Sequence, residues 1–237
     1  MKKSLIFCPA GVAIQTKDHW RRKAPDSLYD IYLINYNDYK HDKSSYDTMV
    51  SMKALKWEMA KKLLPTIDLD QYEYVGFVDD DLVFTSADLN ASLNLAKQIE
   101  SNLFQLSLDR NSFGHYRILF NNSHIKYAVT NFIEIMAPFI HTSKLKSLMA
   151  FWDLYDPRTG WGLDLILCNI LKSEAHVFHE VSMHHPHRKS TYDKTEAITE
   201  QDMCLRSAYP SYMKNRYNED VIPGSYDEPR ILKRELR

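Results

Sequence analysis

Three aspartates stand side by side, Asp79, Asp80 and Asp81, in the stretch YEYVGFVDDDLVF, which is apolar on both flanks. Carboxylates this close to an apolar segment repel one another and are costly to desolvate unless positive charge meets them. In an extended chain Asp79 and Asp81 point to one side and Asp80 to the other. Two convergent carboxylates at a strand end form a hard-oxygen site suited to Mg²⁺ or Mn²⁺, with positions left for water and substrate phosphates. Such an ion relieves the repulsion, lets a diphosphate approach and stabilises it as a leaving group. The structural alternative is a solvated turn leading into a helix capped by Ser86. Position and spacing alone leave the two in balance.

Two further clusters could do chemistry. VSMHHPHR places His184, His185, His187 and Arg188 together after an apolar run, a loop able to ligate a metal or grip phosphate. Loop histidines are more often simply exposed. An acidic site joined by one imidazole suits Mn²⁺ somewhat better than Mg²⁺. In PRTGWGLDL, two of the chain's six glycines, Gly160 and Gly162, flank Trp161. Glycine permits positive φ or close backbone approach, and a tryptophan face is a surface on which sugars stack. Asp164 follows at a helix start, placed to act as a base or to bind hydroxyls. The plainer account is a tight turn, a core tryptophan and a helix-starting aspartate.

These residues need a scaffold, and the hydrophobic pattern describes one. SLIFC, YDIYLINY, YEYVGFV, LFQLSL and AHVFHEVSM read as strands, and YAVTNFIEIMAPFI as one or two more. MVSMKALKWEMAKKLL carries Leu55, Met59 and Leu63 on one helical face; TSADLNASLNLAKQIES, TSKLKSLMAFWDLY and DLILCNILKS are further helices. Strand and helix in alternation predict an α/β fold, a mostly parallel central sheet flanked by helices. Ligands of such sheets sit outside the carboxyl ends of the strands, where Asp79 to Asp81 fall. The expected organisation is one domain over residues 1–190, with 191–237 a polar, Tyr-rich C-terminal extension packed on the surface of the same domain.

Composition narrows the class. At 237 residues, 44% hydrophobic and 26% charged, the chain is ordinary for a globular protein with a substantial core. Thirty basic residues balance thirty-one acidic ones, so nothing supports a nucleic-acid partner. Cys8, Cys168 and Cys204 are odd in number and widely spaced, as expected of buried thiols in a reducing compartment. The start, MKKSLIFCPAG, imitates a signal peptide, but Pro9 and Gly11 interrupt its apolar run, and no window is long enough to span a bilayer. A cytoplasmic protein is the expectation. Lys214, Arg216, Arg230, Lys233, Arg234 and Arg237, interleaved with Tyr209, Tyr212 and Tyr217, offer peripheral contact with an anionic membrane, although admixed acids favour a solvated surface.

The order of the three clusters is itself informative. A strand ending in DxD, a GWG-plus-acid segment some eighty residues on, and a histidine after a late strand resemble the GT-A glycosyltransferases, a Rossmann-related fold. A closer resemblance is to a poorly characterised family of bacterial and plant proteins assigned as glycosyltransferases and known mainly as a domain of unknown function. It is carried by GVAIQTKDHW, YDIYLINYND, YEYVGFVDDDL, TNFIEIMAP and GWGLDL, which together span most of residues 11–190. The resemblance implies a metal-dependent transfer of sugar from a nucleotide-sugar, a UDP-sugar foremost, to a glycan or lipid-linked acceptor. Carried over by position, Asp81 is the direct metal ligand, Asp79 faces the donor ribose or shares the metal, and His185 is the further ligand. Gly11, Lys53, Lys56, Asp80 and Arg188 join Asp79 on the donor side. Asn131, Trp161 and Gly162 line the acceptor side, with Glu134 and Asp164 as the catalytic acids. If configuration is inverted, Asp164 deprotonates the acceptor hydroxyl; if it is retained, Asp164 only positions the acceptor.

Two other functions share some of these signals. FVDDDLV partly matches the hydrophobic-run-then-DxD signature of haloacid-dehalogenase phosphohydrolases, but Leu82 stands where those expect Thr or Val, and the motif is mid-sequence. A non-catalytic sugar- or nucleotide-binding module of the same fold would carry every motif named.

Overall fold

Runs of aromatic and branched residues are comfortable on a pleated, buried surface, and here they form the strands. In the computed structural model, which describes residues 2–11, 18–186 and 193–237, β1 is Lys3–Ala10, β2 Tyr29–Asn35, β3 Thr48–Ser51, β4 Tyr72–Phe77 and β5 Leu103–Leu108. They are followed by β6 (Ile125–Thr130), β7 (Phe139–His141), β8 (Ala175–Met183) and β9 (Ile231–Leu236). All nine join one sheet in the order β3-β2-β1-β4-β7-β5-β8-β6-β9. Seven strands run one way; β6 and β7 run the other, each antiparallel to both its neighbours. The sheet is therefore mixed at β6 and β7 and parallel from β1 to β4.

Helices α1 (Lys56–Leu63), α2 (Ser86–Gln98), α3 (Thr142–Trp152) and α4 (Leu163–Leu171) flank the sheet. Stacked rings cross its middle: Phe104 lies 4.7 Å from Phe139 and 4.9 Å from Phe178, ring centre to ring centre. Trp57 of α1 meets Trp152 of α3 edge-on at 6.0 Å, both buried. Cys8, Cys168 and Cys204 are buried free thiols.

Two details depart from the sequence reading and a third adds to it. The segment expected as one helix from Met49 divides into β3, an edge strand paired with β2 from Tyr32↔Thr48 to Asn35↔Ser51, and the shorter α1. Helix α2 is capped by Thr85, not Ser86: Thr85 Oγ1 accepts from the Asp88 N–H at 3.0 Å, and Asp88 accepts from the Thr85 N–H at 2.9 Å. Ser86 instead bonds Tyr29 and the Ala24 N–H. Thr85→Ala should therefore cost about 1 kcal/mol in urea unfolding, the usual value of such a cap; an unchanged midpoint would show the box to be idle.

The third detail is the C-terminal region, which adds to the core and to the sheet as well as packing on the domain. Helices α5 (Lys194–Met203) and α6 (Tyr209–Tyr217) run on through one π turn, and β9 adds to the sheet edge beside β6. Cys204, Leu205, Ala208, Tyr209, Tyr212 and Met213 belong to the core. Tyr209 and Tyr212 are thus unavailable as membrane anchors. No helix among the described residues is long and apolar enough to cross a membrane.

Candidate active site

Because β1, β2, β4, β5 and β8 share one direction, the residues after their last positions emerge on the same edge of the sheet: Gly11, Tyr36, Asp79 to Asp81, Asp109, and His184 with His185. The aspartates do not lie in an extended strand. β4 ends at Phe77, and a turn closes with the Leu82 N–H on the Asp79 carbonyl at 3.5 Å, so strict alternation does not apply to them. Each has its own surroundings.

Asp79 is met by Lys56, whose ammonium sits 2.6 Å from its Oδ1 and also donates to the carbonyls of Ile135 and Met136. Lys56 is 11% exposed, so its charge is spent on this carboxylate. Desolvation still pushes Asp79 up to about 6, against the pull of Lys56 and with Asp81 and Asp80 adding to the rise. Asp80 turns to the loop after β1, accepting from the Gly11 N–H at 2.8 Å and from the Tyr36 hydroxyl at 3.3 Å. A Cβ on Gly11 would fall 2.4 Å from the Tyr36 ring, so only glycine lets this loop close on it. Asn37 holds the Gly11 carbonyl from the other side at 2.6 Å. Lys53 is exposed and paired with the exposed Asp38 at 3.4 Å rather than with one of these aspartates.

The histidine loop is stitched to the aspartate turn by the reciprocal backbone bonds of Val83 and His184. The three histidines now differ. His184 Nδ1 is 3.0 Å from Asp109 Oδ2. His185 Nδ1 faces the Phe113 carbonyl at 2.9 Å; a carbonyl only accepts, so the proton is on Nδ1 and Nε2 keeps its lone pair. That is how a second partner prepares a metal-binding imidazole. His187 and Arg188 lie outside the described residues. No group of three or more His, Cys, Asp or Glu side chains at metal-binding spacing is found among the described residues.

On the other flank two acids come together. Glu134 is 8% exposed, and its Oε2 has no hydrogen-bond partner among the described residues. Burial pushes its carboxyl up to about 8, raised further by the neighbouring Asp164 and Asp79. Asp164, in the first turn of α4, is held up to about 6 by desolvation despite backbone N–H groups that favour its charged form. Gly160 and Gly162 both adopt positive φ, 83° and 88°, and Gly162 is the residue from which α4 starts. A side chain at Gly160 would also strike the Trp57 ring at 2.2 Å. Half-buried Trp161 lies between them. Asn131 is committed elsewhere: it follows the end of β6, with its amide bonded to the backbone of Glu228 and Arg230.

The residue least visible beforehand is Glu200 of α5. One oxygen accepts from the N–H groups of Arg158 and Gly160, each at 2.9 Å, and the other from the N–H and hydroxyl of Thr159 at 2.7 and 2.8 Å. This buried carboxylate fixes the turn that presents Trp161 and Asp164.

No protein-family model matches the chain, and no curated protein matches it. Solved structures do. Residues 1–349 of S. aureus TarS, solved with UDP-GlcNAc, superpose with a TM-score of 0.58 at 11% identity over 90% of this chain and 67% of that one. The same protein solved with UDP gives 0.52 at 10% identity over 90% and 73%, and TarS in its longer form 0.51 at 13% over 91% and 44%. TarS is a GT-A-type glycosyltransferase. At such identity the likeness is one of fold, and the fold that this chain shares is that of the GT-A glycosyltransferases.

Proposed function

We propose that the protein transfers a sugar from a UDP-sugar to a carbohydrate acceptor, with the donor diphosphate at the Asp79–Asp81 turn and the acceptor beside Asp164. The observation that carries this reading is the acid pair near the aspartate turn. Glu134 is buried with an Oε2 unpartnered among the described residues and is raised to about 8 by burial and then by Asp164 and Asp79, while Asp164 is held to about 6. Two acids whose surroundings separate their pKa values are suited to different tasks. Asp164, ionised above about pH 6, accepts the proton of the attacking hydroxyl, as an inverting displacement requires. Glu134 keeps its proton at neutral pH and donates a hydrogen bond toward the acceptor, so two negative charges never compete there. Trp161 supplies the apolar face for the sugar ring.

Asp81 and the Nε2 of His185 suit a divalent ion, Mn²⁺ or Mg²⁺, in a site that diphosphate oxygens and water complete, whereas Asp79 is occupied by Lys56. When bound, that ion neutralises the departing diphosphate. Lys56 holds Asp79 for the ribose side of the donor, and Asp80 braces the Gly11 loop against it. The support from relatives is that TarS has been solved with UDP-GlcNAc and with UDP. Calorimetric titration of UDP, GDP and CMP with and without Mn²⁺ tests the reading. UDP alone should bind, in a Mn²⁺-dependent way that Asp81→Ala abolishes. No nucleotide binding by folded protein would overturn the donor assignment.

A further inference from the structure

A second cleft, apolar in part and rimmed by basic groups, lies on the flank built by the 109–124 loop, β6, β8 and β9. It is open to solvent, has a volume of about 600 Å³ and is lined by Arg110, Arg117, Phe120, Asn121, Asn122 and His124. A smaller hollow of about 270 Å³ shares Arg117 and Asn122 with it and adds Arg234 of β9 and His179 of β8. None of its side chains belongs to the donor or acceptor assignments above.

His179 makes this more than a basic surface. It is 2% exposed. Its Nδ1 accepts the Asn122 N–H at 3.1 Å, which places the ring proton on Nε2. That buried N–H has no partner among the described residues, an arrangement proteins avoid unless something else supplies the acceptor. Burial, with Arg237 and Arg234 adding to it, lowers the ring to about 4, so it is a neutral donor at physiological pH. Arg237 donates to the His179 carbonyl at 2.8 Å and brings a further guanidinium to the same place. Arg110, Arg117 and Arg234 take part in none of the arginine–carboxylate salt bridges among the described residues, which are those of Arg158 and Arg206. Donors thus reach this cleft from a loop and two strands.

We infer that this cleft is an oxyanion site, separate from the nucleotide site, that takes a phosphate group through Arg117 and Arg234 with the His179 Nε2–H as its buried donor. Guanidinium forks match phosphate oxygens. Donors approaching from three elements suit a tetrahedral group better than a planar carboxylate. The inference stands whether or not the protein transfers sugars, because none of its residues enters that reading.

The test is calorimetric titration of inorganic phosphate, and separately of glycerol 3-phosphate, into wild type and Arg117→Ala/Arg234→Ala, with and without saturating UDP. Both replaced arginines are exposed, so thermal midpoints should match. Saturable binding at least tenfold weaker in the variant and indifferent to UDP is expected. A phosphate-induced shift of the His179 Nε2–H proton resonance should accompany it. Tighter binding of the ester assigns the site to a phosphorylated molecule, and equal or tighter binding of inorganic phosphate to the free ion. Absence of saturable binding, displacement by UDP, or full binding by the variant would each overturn the site.

Discussion

Asp164→Asn should lower turnover by roughly a hundredfold to ten-thousandfold, the range by which a positioned general base accelerates proton transfer. UDP binding should be intact, because the change lies on the acceptor side. Glu134→Gln should behave differently. At neutral pH Glu134 carries its proton, its carboxyl pushed up to about 8 by burial and then by Asp164 and Asp79. The amide is therefore close to an isostere of the working form, and turnover near pH 7 should fall far less than in Asp164→Asn. For wild type, the rate should rise through about pH 6 as Asp164 ionises and decline above about 8 as Glu134 loses its proton. The two acids interact, so the measured midpoints belong to the pair. A profile flat from pH 5 to 9, or an Asp164→Asn enzyme as fast as wild type, would remove Asp164 from the chemistry.

Stability gives an independent reading of the same pair. The folded-state pKa of Glu134 lies above its ordinary 4.5, so the folded protein keeps a proton that the unfolded chain has lost. Stability therefore declines as pH climbs from about 4.5 to 8, the unfolded state binding fewer protons over that window. Glu134→Gln removes the effect and should unfold at higher urea concentration than wild type at pH 8, with the difference closing near pH 4.

The second large effect is expected at Glu200, which never touches substrate. Glu200→Ala leaves the N–H groups of Arg158, Thr159 and Gly160 without their acceptor. Each stranded buried donor costs about 1–3 kcal/mol, and partial hydration of the loop limits the sum to roughly 3–5 kcal/mol. Turnover should fall as well, since the same turn sets the start of α4 and so Asp164. Glu200→Gln keeps one accepting oxygen and should lose about half as much stability. Denaturant midpoints and turnover on the two variants decide this: if Glu200→Ala matched wild type in both, the turn would be held by something other than this carboxylate.

How much of this was legible beforehand follows from the range of the interactions involved. Strands such as LFQLSL, buried throughout, and YEYVGF, buried from Tyr74 to Phe77, were readable because the apolar run records that burial directly. Edge elements left no such trace. β3 is mostly exposed, and its apolar Met49 and Val50 extend the helical pattern of the residues that follow; pairing with β2 made it a strand. β9 reads as a basic tail, ILKREL, and only the open edge of β6 turns it into the ninth strand.

The site divides in the same way. Composition and local pattern determined that an α/β sheet would form and that three carboxylates would sit at the end of a strand, and they marked a glycine-bounded tryptophan turn leading to Asp164. These are properties of neighbours in the chain, and burial periodicity writes them into the order of residues. Tertiary structure decided which charge answers which. Lys56 reaches Asp79 across 23 positions, Glu200 reaches Gly160 across 40, and Glu134 acquires its high pKa from Asp164, on another element. Desolvation and Coulomb energy depend on distance through space, and that distance exists only once the sheet has brought its strand ends to one edge.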